Sequence, residues 1–329
     1  MKGFEAVILA GGGGERFWPL STQERPKQFL HVFGGESLIR QSVSRLKGIA
    51  NSKHIHVITS KSLINATIRE LGELPRENIT GEPMRRDTGA AVALGVGMAS
   101  FKDDDVIGFF ASDQLVMKPA AFRRVLRSAI AKANATDAIV VIGIQPTYAS
   151  DAFGYVDPAK KTFVEKPDLK TAKKYLKKGF LWNAGMFIAK ASVFRKAISE
   201  FAPELAVLSD ASIRGKDLAA IYGKLPRLSF DYAVMERASQ AGMVEVVPGD
   251  FGWDDVGSFI AFDKYFPHDR NRNVREGPCT VVESEGNICI ARNARISLLG
   301  VKDLVVVTTS DSVLVADKNH ISDMKKLFK

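Results

Sequence analysis

The sequence predicts an α/β fold with a mostly parallel sheet, followed by a small C-terminal β domain. From residue 4 to about residue 145, apolar runs of strand length alternate with stretches of helical periodicity, which is the pattern of parallel strands joined by helices. The runs at 105–111 and 137–144 are continuously apolar, as expected of strands covered on both faces. Beyond residue 266, short and closely spaced apolar runs predict a coiled unit of the β-helix type.

The individual elements follow in order along the chain. Apolar runs bounded by glycine or polar residues predict strands at residues 6–10, 54–59, 105–111, 137–144, 153–156, 162–165, 182–188 and 244–247. Amphipathic or small-residue stretches predict helices at residues 37–47, 62–71, 90–100, 119–133, 170–178, 191–201 and 230–238. A polar linker at 267–277 precedes strands at 280–282, 288–291, 296–298, 304–308 and 313–316 and a last helix at 320–328. The predicted domains are therefore residues 1–266 and 267–329.

Charge and cysteine content narrow the class of protein. The chain has 329 residues, a formal net charge of +9 and two cysteines, Cys279 and Cys289. No apolar run reaches membrane-spanning length and the first ten residues lack a signal-peptide pattern, so we expect a cytoplasmic protein with no membrane contact. The lysine-rich residues 170–178 indicate a solvated helix face and not a nucleic-acid site. The strand-like surroundings of the cysteines favour buried thiols over a disulfide or a metal site.

The stretch Phe4 to Leu30 carries the strongest functional pattern. An apolar strand ends in four glycines, Gly11 to Gly14, and Arg16 and Lys27 follow. Bare glycine backbone exposes N–H groups that can hold a phosphate chain, and the two cations suit the same ligand. The helix-opening G-x-G-x-x-G of dinucleotide folds and the Gly-Lys-Ser/Thr of a P-loop are both missing. A sharp turn without a ligand is the alternative interpretation, but the pattern as a whole favours the triphosphate cradle of a nucleotidyltransferase.

Carboxylates follow two further strand-like runs. Asp113 comes after the apolar run 105–111, and Asp255 lies in the loop Asp250–Gly257. Open α/β sheets bind ligands at the carboxyl edge of their strands. The two aspartates either bind a metal or terminate their elements, and the repeated placement favours a metal. His54 and His56 share one face of a strand, but no third ligand lies nearby in sequence, so a half-exposed strand face is the preferred interpretation.

A series of sequence blocks also occurs in one order along the chain: VILAGGGGERFWPLS with PKQFL, EPMRRDTGAAVALG, GIQPTYASDAFGYV, FVEKP, WNAGMFIA, FDYAVMER, GWDDVGSF and GVKDLVVVTTSDSVLVADK. With these blocks the whole chain resembles the mannose-1-phosphate guanylyltransferases of the sugar-nucleotidyltransferase superfamily. The resemblance implies a Rossmann-like sheet of the nucleotide-diphospho-sugar transferase fold. It also implies the short form of the enzyme, without a fused isomerase domain.

The resemblance implies an enzyme that uses Mg²⁺ to convert GTP and α-D-mannose 1-phosphate into GDP-mannose and pyrophosphate. The sugar phosphate would attack the α-phosphorus in line, and it needs no general base because its second pKa is about 6. The main obstacle is repulsion between two polyanions, roughly 4 kcal/mol for one pair of unit charges at about 4 Å. A homodimer is one assembly that a β tail suggests.

Each motif residue has a role that the resemblance implies. The nucleotide would be bound by Leu9, Ala10, Gly11, Gly12, Gly14, Glu82, Arg86 and Thr88. The catalytic cations would be Arg16, Lys27 and Lys166. The mannose ring would be bound by Gly154, Glu165 and Asn183, and the metal by Asp113 and Asp255.

Three positions depart from the usual family pattern: Glu15 replaces a threonine, Gln114 a histidine and Asp87 an asparagine. They bear on base and sugar selectivity more than on the chemistry. Glu165 and Lys166 could instead form a surface ion pair, and Asn183 could be a core polar group. A related nucleotidyltransferase with another nucleotide or sugar 1-phosphate, and a non-catalytic nucleotide-sugar-binding protein, stay open as alternative functions.

Overall fold

The computed structural model describes residues 3–13, 15–98 and 101–328. These residues form two compact units, each built from separate stretches of the chain. The first unit contains the described residues within 3–11, 40–112 and 116–253, and the second contains those within 12–39, 113–115 and 254–328. The domain limits predicted above, 1–266 and 267–329, stay a prediction.

The regular elements have the following bounds. The strands are β1 (Phe4–Ala10), β2 (Ile55–Ser60), β3 (Ile79–Glu82), β4 (Val106–Ala111), β5 (Leu115–Val116), β6 (Ile139–Ile144), β7 (Tyr155–Val156), β8 (Phe163–Val164), β9 (Leu181–Lys190), β10 (Val244–Gly249), β11 (Trp253–Asp254), β12 (Val274–Glu276), β13 (Cys279–Val282), β14 (Ile288–Ala291), β15 (Ile296–Leu299), β16 (Leu304–Thr308) and β17 (Val313–Asp317). The α-helices are α1 (Leu38–Ser44), α2 (Ile64–Glu70), α3 (Asp87–Met98), α4 (Pro119–Ala135), α5 (Leu169–Lys177), α6 (Ala191–Phe201), α7 (Ala206–Ser209), α8 (Leu218–Tyr222), α9 (Glu236–Gln240) and α10 (Ile260–Tyr265).

The first unit is built on a mostly parallel sheet with the strand order β10-β6-β9-β4-β1-β2-β3. Strand β1 pairs in parallel with β2 and with β4, so that Ala6 lies opposite Ile55 on one side and Gly108 on the other. Strand β9 is antiparallel to both β4 and β6, and β7 and β8 extend the sheet from β9. The predicted α/β architecture is confirmed, and the antiparallel β9 separates the two parallel parts of the sheet.

Helix α3 packs closely on this sheet because its buried face is made of small residues. A Cβ atom added to Gly95 would lie 2.8 Å from Cε1 of Phe109 and 3.2 Å from Cγ1 of Val7. Glycine therefore allows the helix backbone to approach the side chains of β1 and β4. The first residue of α3, Asp87, has a φ of 65°, a left-handed conformation that aspartate tolerates better than most residues.

The second unit contains a coiled β structure. Strands β12, β14 and β16 pair in parallel, which stacks Val274, Ile288 and Val305 in one buried column. The Nδ2 of Asn287 donates to Oδ1 of Asn273 at 2.9 Å, and Oδ1 of Asn287 accepts from the amide of Leu304 at 2.9 Å. Because this polar column satisfies backbone groups between successive turns, it confirms the predicted β-helix-like tail.

Several local predictions need correction. The predicted linker 267–277 contains strand β12. Val274 of this strand is buried, but it is a single apolar residue within a polar stretch, so no strand pattern is visible in the sequence. The predicted helix 230–238 begins with a π-helical turn, Asp231–Met235. The last helix is a 3₁₀ helix over Lys318–Phe328. The last two residues of the predicted helix 90–100 lie outside the described part of the chain.

The structure also shows the environments of the two cysteines and the two strand histidines. Cys279 and Cys289 are free thiols, and Cys289 is buried as predicted, whereas Cys279 is only half-buried. The Nδ1 of His54 and the Nε2 of His56 both contact the Glu5 carboxylate, at 2.7 and 3.1 Å, so each imidazole has a hydrogen-bond partner on the strand face. Among the residues that the structure describes, no helix combines the length and the apolar character needed to cross a membrane.

Candidate functional site

In the first unit, the end of β1 lies beside Glu82. A Cβ atom added to Gly11 would be 3.3 Å from Oε2 of Glu82. The backbone of β1 is fixed at this point, because Ser112 donates to the carbonyl of Leu9 at 3.1 Å and Thr59 Oγ1 donates to that of Ala10 at 3.1 Å. The structure thus brings the predicted nucleotide residues at the end of β1 together with Glu82.

Glu82 is a buried carboxyl at the end of β3. Its Oε1 accepts a hydrogen bond from the Tyr222 hydroxyl at 3.1 Å. Burial is the main cause that raises the pKa of Glu82 to about 7, and Asp87 adds repulsion, whereas the Tyr222 hydrogen bond opposes the shift. This carboxyl can therefore act both as hydrogen-bond donor and as acceptor near neutral pH.

Arg86 and Thr88 lie at the loop and helix that follow β3. The guanidinium of Arg86 donates to the carbonyl of Tyr222 at 2.7 Å and to that of Gly223 at 3.3 Å. The Oγ1 of Thr88 accepts from the amide of Phe230 at 2.9 Å. Both predicted base-reading side chains thus contact backbone groups of neighbouring loops, and these contacts hold the loop around Glu82 in place.

A second group of polar residues in the first unit, called here the Asn183 cluster, consists of Glu165, Lys166, Asn183, Asp231 and Glu236. The Nζ of Lys166 lies 3.1 Å from Oε1 of Glu165, whose side chain is only 6% exposed. Adjacent residues of a strand point to opposite faces, but Lys166 has a φ of 43°, and this left-handed conformation lets the two side chains meet. A pair with one buried partner differs from the solvent-exposed surface pair considered above.

Asn183 is held at both ends of its amide group. Its Nδ2 donates to Oδ1 of Asp231 at 2.8 Å, and its Oδ1 accepts from the amide of Gly185 at 2.9 Å. Burial, followed by repulsion from Glu165, raises the pKa of Asp231 to about 7. Gly154 belongs to the same region, because a Cβ atom added there would lie 2.5 Å from Oε2 of Glu165.

In the second unit, Arg16, Lys27, Asp113 and Asp255 form what we call the Lys27 cluster. The Nζ of Lys27 donates to Oδ2 of Asp113 at 3.0 Å and to the carbonyl of Asp255 at 2.7 Å. The lysine is 6% exposed, and its ammonium also lies 5.8 Å from the centre of the Phe17 ring. One buried ammonium group therefore joins two aspartates that are far apart in sequence.

The loop that carries Asp255 has an unusual backbone. Val256 has a φ of 48°, which is an outlier for a β-branched residue and costs about 1–3 kcal/mol. Its amide donates to Oδ1 of Asp254 at 2.7 Å. A Cβ atom on Gly257 would lie 3.3 Å from Nη1 of Arg16 and 3.6 Å from Oδ2 of Asp255. The small residue at 257 lets the Arg16 guanidinium come close to this loop.

The Lys27 cluster fits a hard divalent cation. Burial is the largest cause that raises the pKa of Asp255, and Asp113 adds to it, whereas Lys27 and Arg16 oppose it. Asp113 and Asp255 therefore share the Lys27 ammonium as a charged neighbour. Mg²⁺ is commonly bound by one or two carboxylates together with substrate phosphates. No group of three or more histidine, cysteine or acidic residues that could hold a metal occurs in the described ranges.

The sequence predicts only part of each group. Gly14 lies outside the described residues, and Gly12 is exposed, with its carbonyl 3.4 Å from Nε2 of Gln28. Asp231, Glu236 and Tyr222 were missed as site residues. The block FDYAVMER contains two of them, so the signal was present, but their contacts with other strands could not be read from it.

Comparison with known proteins gives the family. Residues 5–272 match the family described as nucleotidyl transferase, and residues 277–329 match the mannose-phosphate isomerase/GMP-like β-helix domain. The chain is 32% identical over 354 residues to the mannose-1-phosphate guanylyltransferase ManC of Salmonella typhimurium and 32% identical over 348 residues to that of Escherichia coli. Each alignment covers 98% of this chain and 72% of the relative.

A solved structure supports the same assignment. The Thermus thermophilus protein described as a mannose-1-phosphate geranyltransferase has a TM-score of 0.90 and 30% sequence identity to this chain. The match covers 100% of this chain and 98% of that protein. With these similarities in sequence and in fold, the chain belongs to the nucleotidyl transferase family and, within it, to the mannose-1-phosphate guanylyltransferases.

Proposed function

We infer that this protein transfers GMP from GTP to α-D-mannose 1-phosphate and so forms GDP-mannose and pyrophosphate. The observation that carries this inference is its membership of the mannose-1-phosphate guanylyltransferases, with 32% identity over 98% of the chain. A phosphate oxygen of the sugar forms the new bond to the α-phosphorus. The bond from that phosphorus to the pyrophosphate oxygen breaks, and pyrophosphate leaves with the bonding electrons.

Positive charge is the main contribution that the protein makes to this reaction. The sugar phosphate is largely dianionic at neutral pH, so the residues need not remove a proton from it. In our proposal Lys27 and Arg16 hold the triphosphate and then the leaving pyrophosphate, and Lys166 holds the phosphate of the sugar. Cations that are already in place reduce the repulsion as charge moves to the leaving group.

Asp113 and Asp255 are the proposed ligands of a divalent cation, and Mg²⁺ is the proposed ion. When bound, Mg²⁺ acts as a Lewis acid and as a template for the phosphate groups. The ammonium of Lys27, 3.0 Å from Asp113, balances these carboxylates within the protein chain itself. The cluster therefore carries both the negative charge that a metal needs and the positive charge that a phosphate needs.

The first unit supplies most of the proposed recognition residues. The Glu82 carboxyl suits the guanine edge, which presents N–H donors, and Arg86 and Thr88 fix the loop beside it. Glu165 and Asn183 bind hydroxyl groups of the mannose, and Gly154 leaves the space that the ring requires, since a Cβ there would meet Glu165. The residues proposed to line the nucleotide are Leu9, Ala10, Gly11, Gly12 and Gly14.

A substrate panel tests the proposed function. Pyrophosphate release is measured with GTP, ATP, UTP and dTTP, each with mannose 1-phosphate and with glucose 1-phosphate, with and without Mg²⁺. We expect the highest kcat/KM for GTP with mannose 1-phosphate and no turnover without a divalent cation. A preference for another pair would assign the protein to a related activity, and Asp87 is the first residue to examine in that case. Binding of GDP-mannose without any pyrophosphate release would instead indicate a non-catalytic nucleotide-sugar-binding protein.

The cytoplasmic location and the homodimer stay predictions.

A further inference from the structure

The segment after Phe230 contains an irregular turn of helix. Residues Asp231–Met235 form a π-helical turn, in which the amide of Glu236 donates to the carbonyl of Asp231. Because a π-turn bonds residues five apart, Glu236 follows Asp231 by one turn on the same side of the helix. In a regular α-helix, five residues correspond to about 500°, so the two side chains would point about 140° apart.

Asp231 and Glu236 at the two ends of this turn contact other residues of the Asn183 cluster. The Oδ1 of Asp231 accepts from Nδ2 of Asn183 at 2.8 Å. The Oε1 of Glu236 accepts from the backbone amide of Glu165 at 2.9 Å. Asn183 lies in β9, whereas Glu165 follows β8, so one turn of helix contacts a residue from each of two segments.

We infer that the π-turn positions Asn183 and Glu165 for the mannose ring, with Asp231 and Glu236 as positioning residues that support them from behind. The inference rests on the proposed function, because Asn183 and Glu165 are the proposed ligands of the sugar. An α-helical turn in the same place could present only one of the two carboxylates to the cluster. A π-turn contains one residue more than an α-helical turn, and this extra residue places the Asp231 and Glu236 carboxylates on one side of the helix.

The hydrogen bonds of Asn183 fix the orientation of its side-chain amide. Gly185 donates to the amide oxygen at 2.9 Å and Asp231 accepts from the amide nitrogen. A rotation of the amide by 180° would lose both bonds, so the side chain has one orientation. The second Nδ2 hydrogen then points in one direction and can donate to a hydroxyl oxygen of the sugar. Glu236 acts on the backbone of Glu165, just before the left-handed residue Lys166.

The test compares binding of GDP-mannose with binding of GDP by titration calorimetry. The variants Asp231→Leu and Glu236→Leu remove the acceptor oxygen, whereas Asp231→Asn and Glu236→Gln keep one. We expect the leucine variants to raise the Kd for GDP-mannose about 10- to 100-fold, as for a lost buried hydrogen bond. The Kd for GDP should change less than about twofold, and the conservative variants should stay within about threefold of wild type for both ligands.

Thr67→Val is the matched control for a merely structural effect. Thr67 is buried in the same unit, and its Oγ1 donates to the carbonyl of Leu63 at 2.9 Å. This variant should lower the melting temperature without changing the ratio of the two Kd values. An Asp231→Leu protein that folds and keeps the wild-type ratio would overturn the inference, as would an equal rise in both Kd values. If Asp231→Leu fails to fold, the ratio in Glu236→Leu decides in the same way.

The outcome separates the inference from the proposed function. A wild-type protein that releases pyrophosphate from GTP and mannose 1-phosphate supports the proposed function whatever the variants do. An unchanged Kd ratio in the variants then removes only the role of the π-turn. Failure of the wild-type protein to release pyrophosphate would overturn the proposed function, whereas the ratio of the two Kd values in the variants would still decide the role of the π-turn.

Discussion

The Lys27 cluster and the Asn183 cluster use carboxylates in different ways. In the Lys27 cluster, Lys27 contacts Asp113 and the carbonyl of Asp255, and Lys27 and Arg16 oppose the rise that burial causes in the pKa of Asp255. In the Asn183 cluster, Asp231 faces a neutral amide group, and its pKa is raised to about 7, mainly by burial. Charge compensation suits phosphate and metal binding, whereas a partly protonated carboxyl such as Asp231 can hold the neutral amide of Asn183 in place without bringing a full negative charge to the sugar site.

The largest effect that sharpens this comparison is expected for Asp113→Ala. Loss of this carboxylate removes one proposed metal ligand and the partner of Lys27 at 3.0 Å. We expect the rate of pyrophosphate release to fall by about 1,000-fold or more, which corresponds to roughly 4 kcal/mol. Circular dichroism should show a folded protein. Asp250→Ala is the control, because Asp250 forms an exposed pair with Lys118. A rate near that of wild type in Asp113→Ala would refute the metal role.

Lys27→Met is expected to have the second largest effect. The variant keeps a side chain of similar length but leaves the Lys27 cluster without its buried ammonium. We expect a loss of roughly 100- to 1,000-fold in kcat/KM, as for removal of one group that stabilises charge in the transition state. Mg²⁺ should raise the melting temperature of the variant more than that of wild type, since the carboxylates have lost their cation.

The control for Lys27→Met is Lys118→Met. In the wild-type protein the Lys118 ammonium lies 3.3 Å from Oδ1 of the exposed Asp250. Exposed ion pairs contribute about 1 kcal/mol or less, so this variant should retain wild-type turnover. A similar loss in both lysine variants would indicate a general effect of net charge and would contradict a specific role for Lys27.

Glu82→Gln tests whether the carboxyls of the first unit are weakly charged. The folded pKa of Glu82 is about 7 against an ordinary value of 4.5, so the folded state binds more protons than the unfolded state between these values. Stability therefore falls as the pH rises through this window. We expect the free energy of unfolding of Glu82→Gln, relative to wild type, to increase by about 2 kcal/mol between pH 5 and pH 8 in urea denaturation.

Glu245→Gln is the control with the opposite sign. Burial raises the pKa of Glu245, but hydrogen bonds from Lys161 and Lys132 outweigh it and lower the pKa below its usual value. Its contribution to stability is therefore complete above pH 4.5 and is lost only at lower pH. The difference between this variant and wild type should stay constant from pH 5.5 to pH 8. A constant difference for Glu82→Gln as well would contradict the raised pKa.

The smallest expected effect comes from Gly154→Ala. The added Cβ would lie 2.5 Å from Oε2 of Glu165, so the Glu165 side chain must move. We expect the KM for mannose 1-phosphate to rise about tenfold, or roughly 1.4 kcal/mol, with little change in the KM for GTP. Gly72→Ala is the control, because a Cβ there would have only one ordinary contact, 4.0 Å from the carbonyl of Ile68. Equal KM values for mannose 1-phosphate in the two variants would remove Gly154 from the sugar site.

Much of the fold could be predicted from local pattern. The continuous apolar runs that became β4 and β6 needed no tertiary information, because strands buried on both faces must be apolar along their whole length. The small residues at 90–100 likewise indicated the helix that became α3. Strand β12 escaped prediction because its three residues show too little periodicity inside a polar segment.

The sequence by itself determined the family, the α/β architecture, the coiled β tail and the identity of the motif residues. These depend on residue type and spacing, which are local properties of the chain. Only the tertiary structure decided that Lys27 contacts two distant aspartates and that the Lys166 backbone is left-handed. It also decided that Asp231, at the start of a π-turn, accepts a hydrogen bond from Asn183. Such contacts join segments up to 228 positions apart, and burial then sets the charge of each carboxyl, so neither property can be read from spacing along the chain.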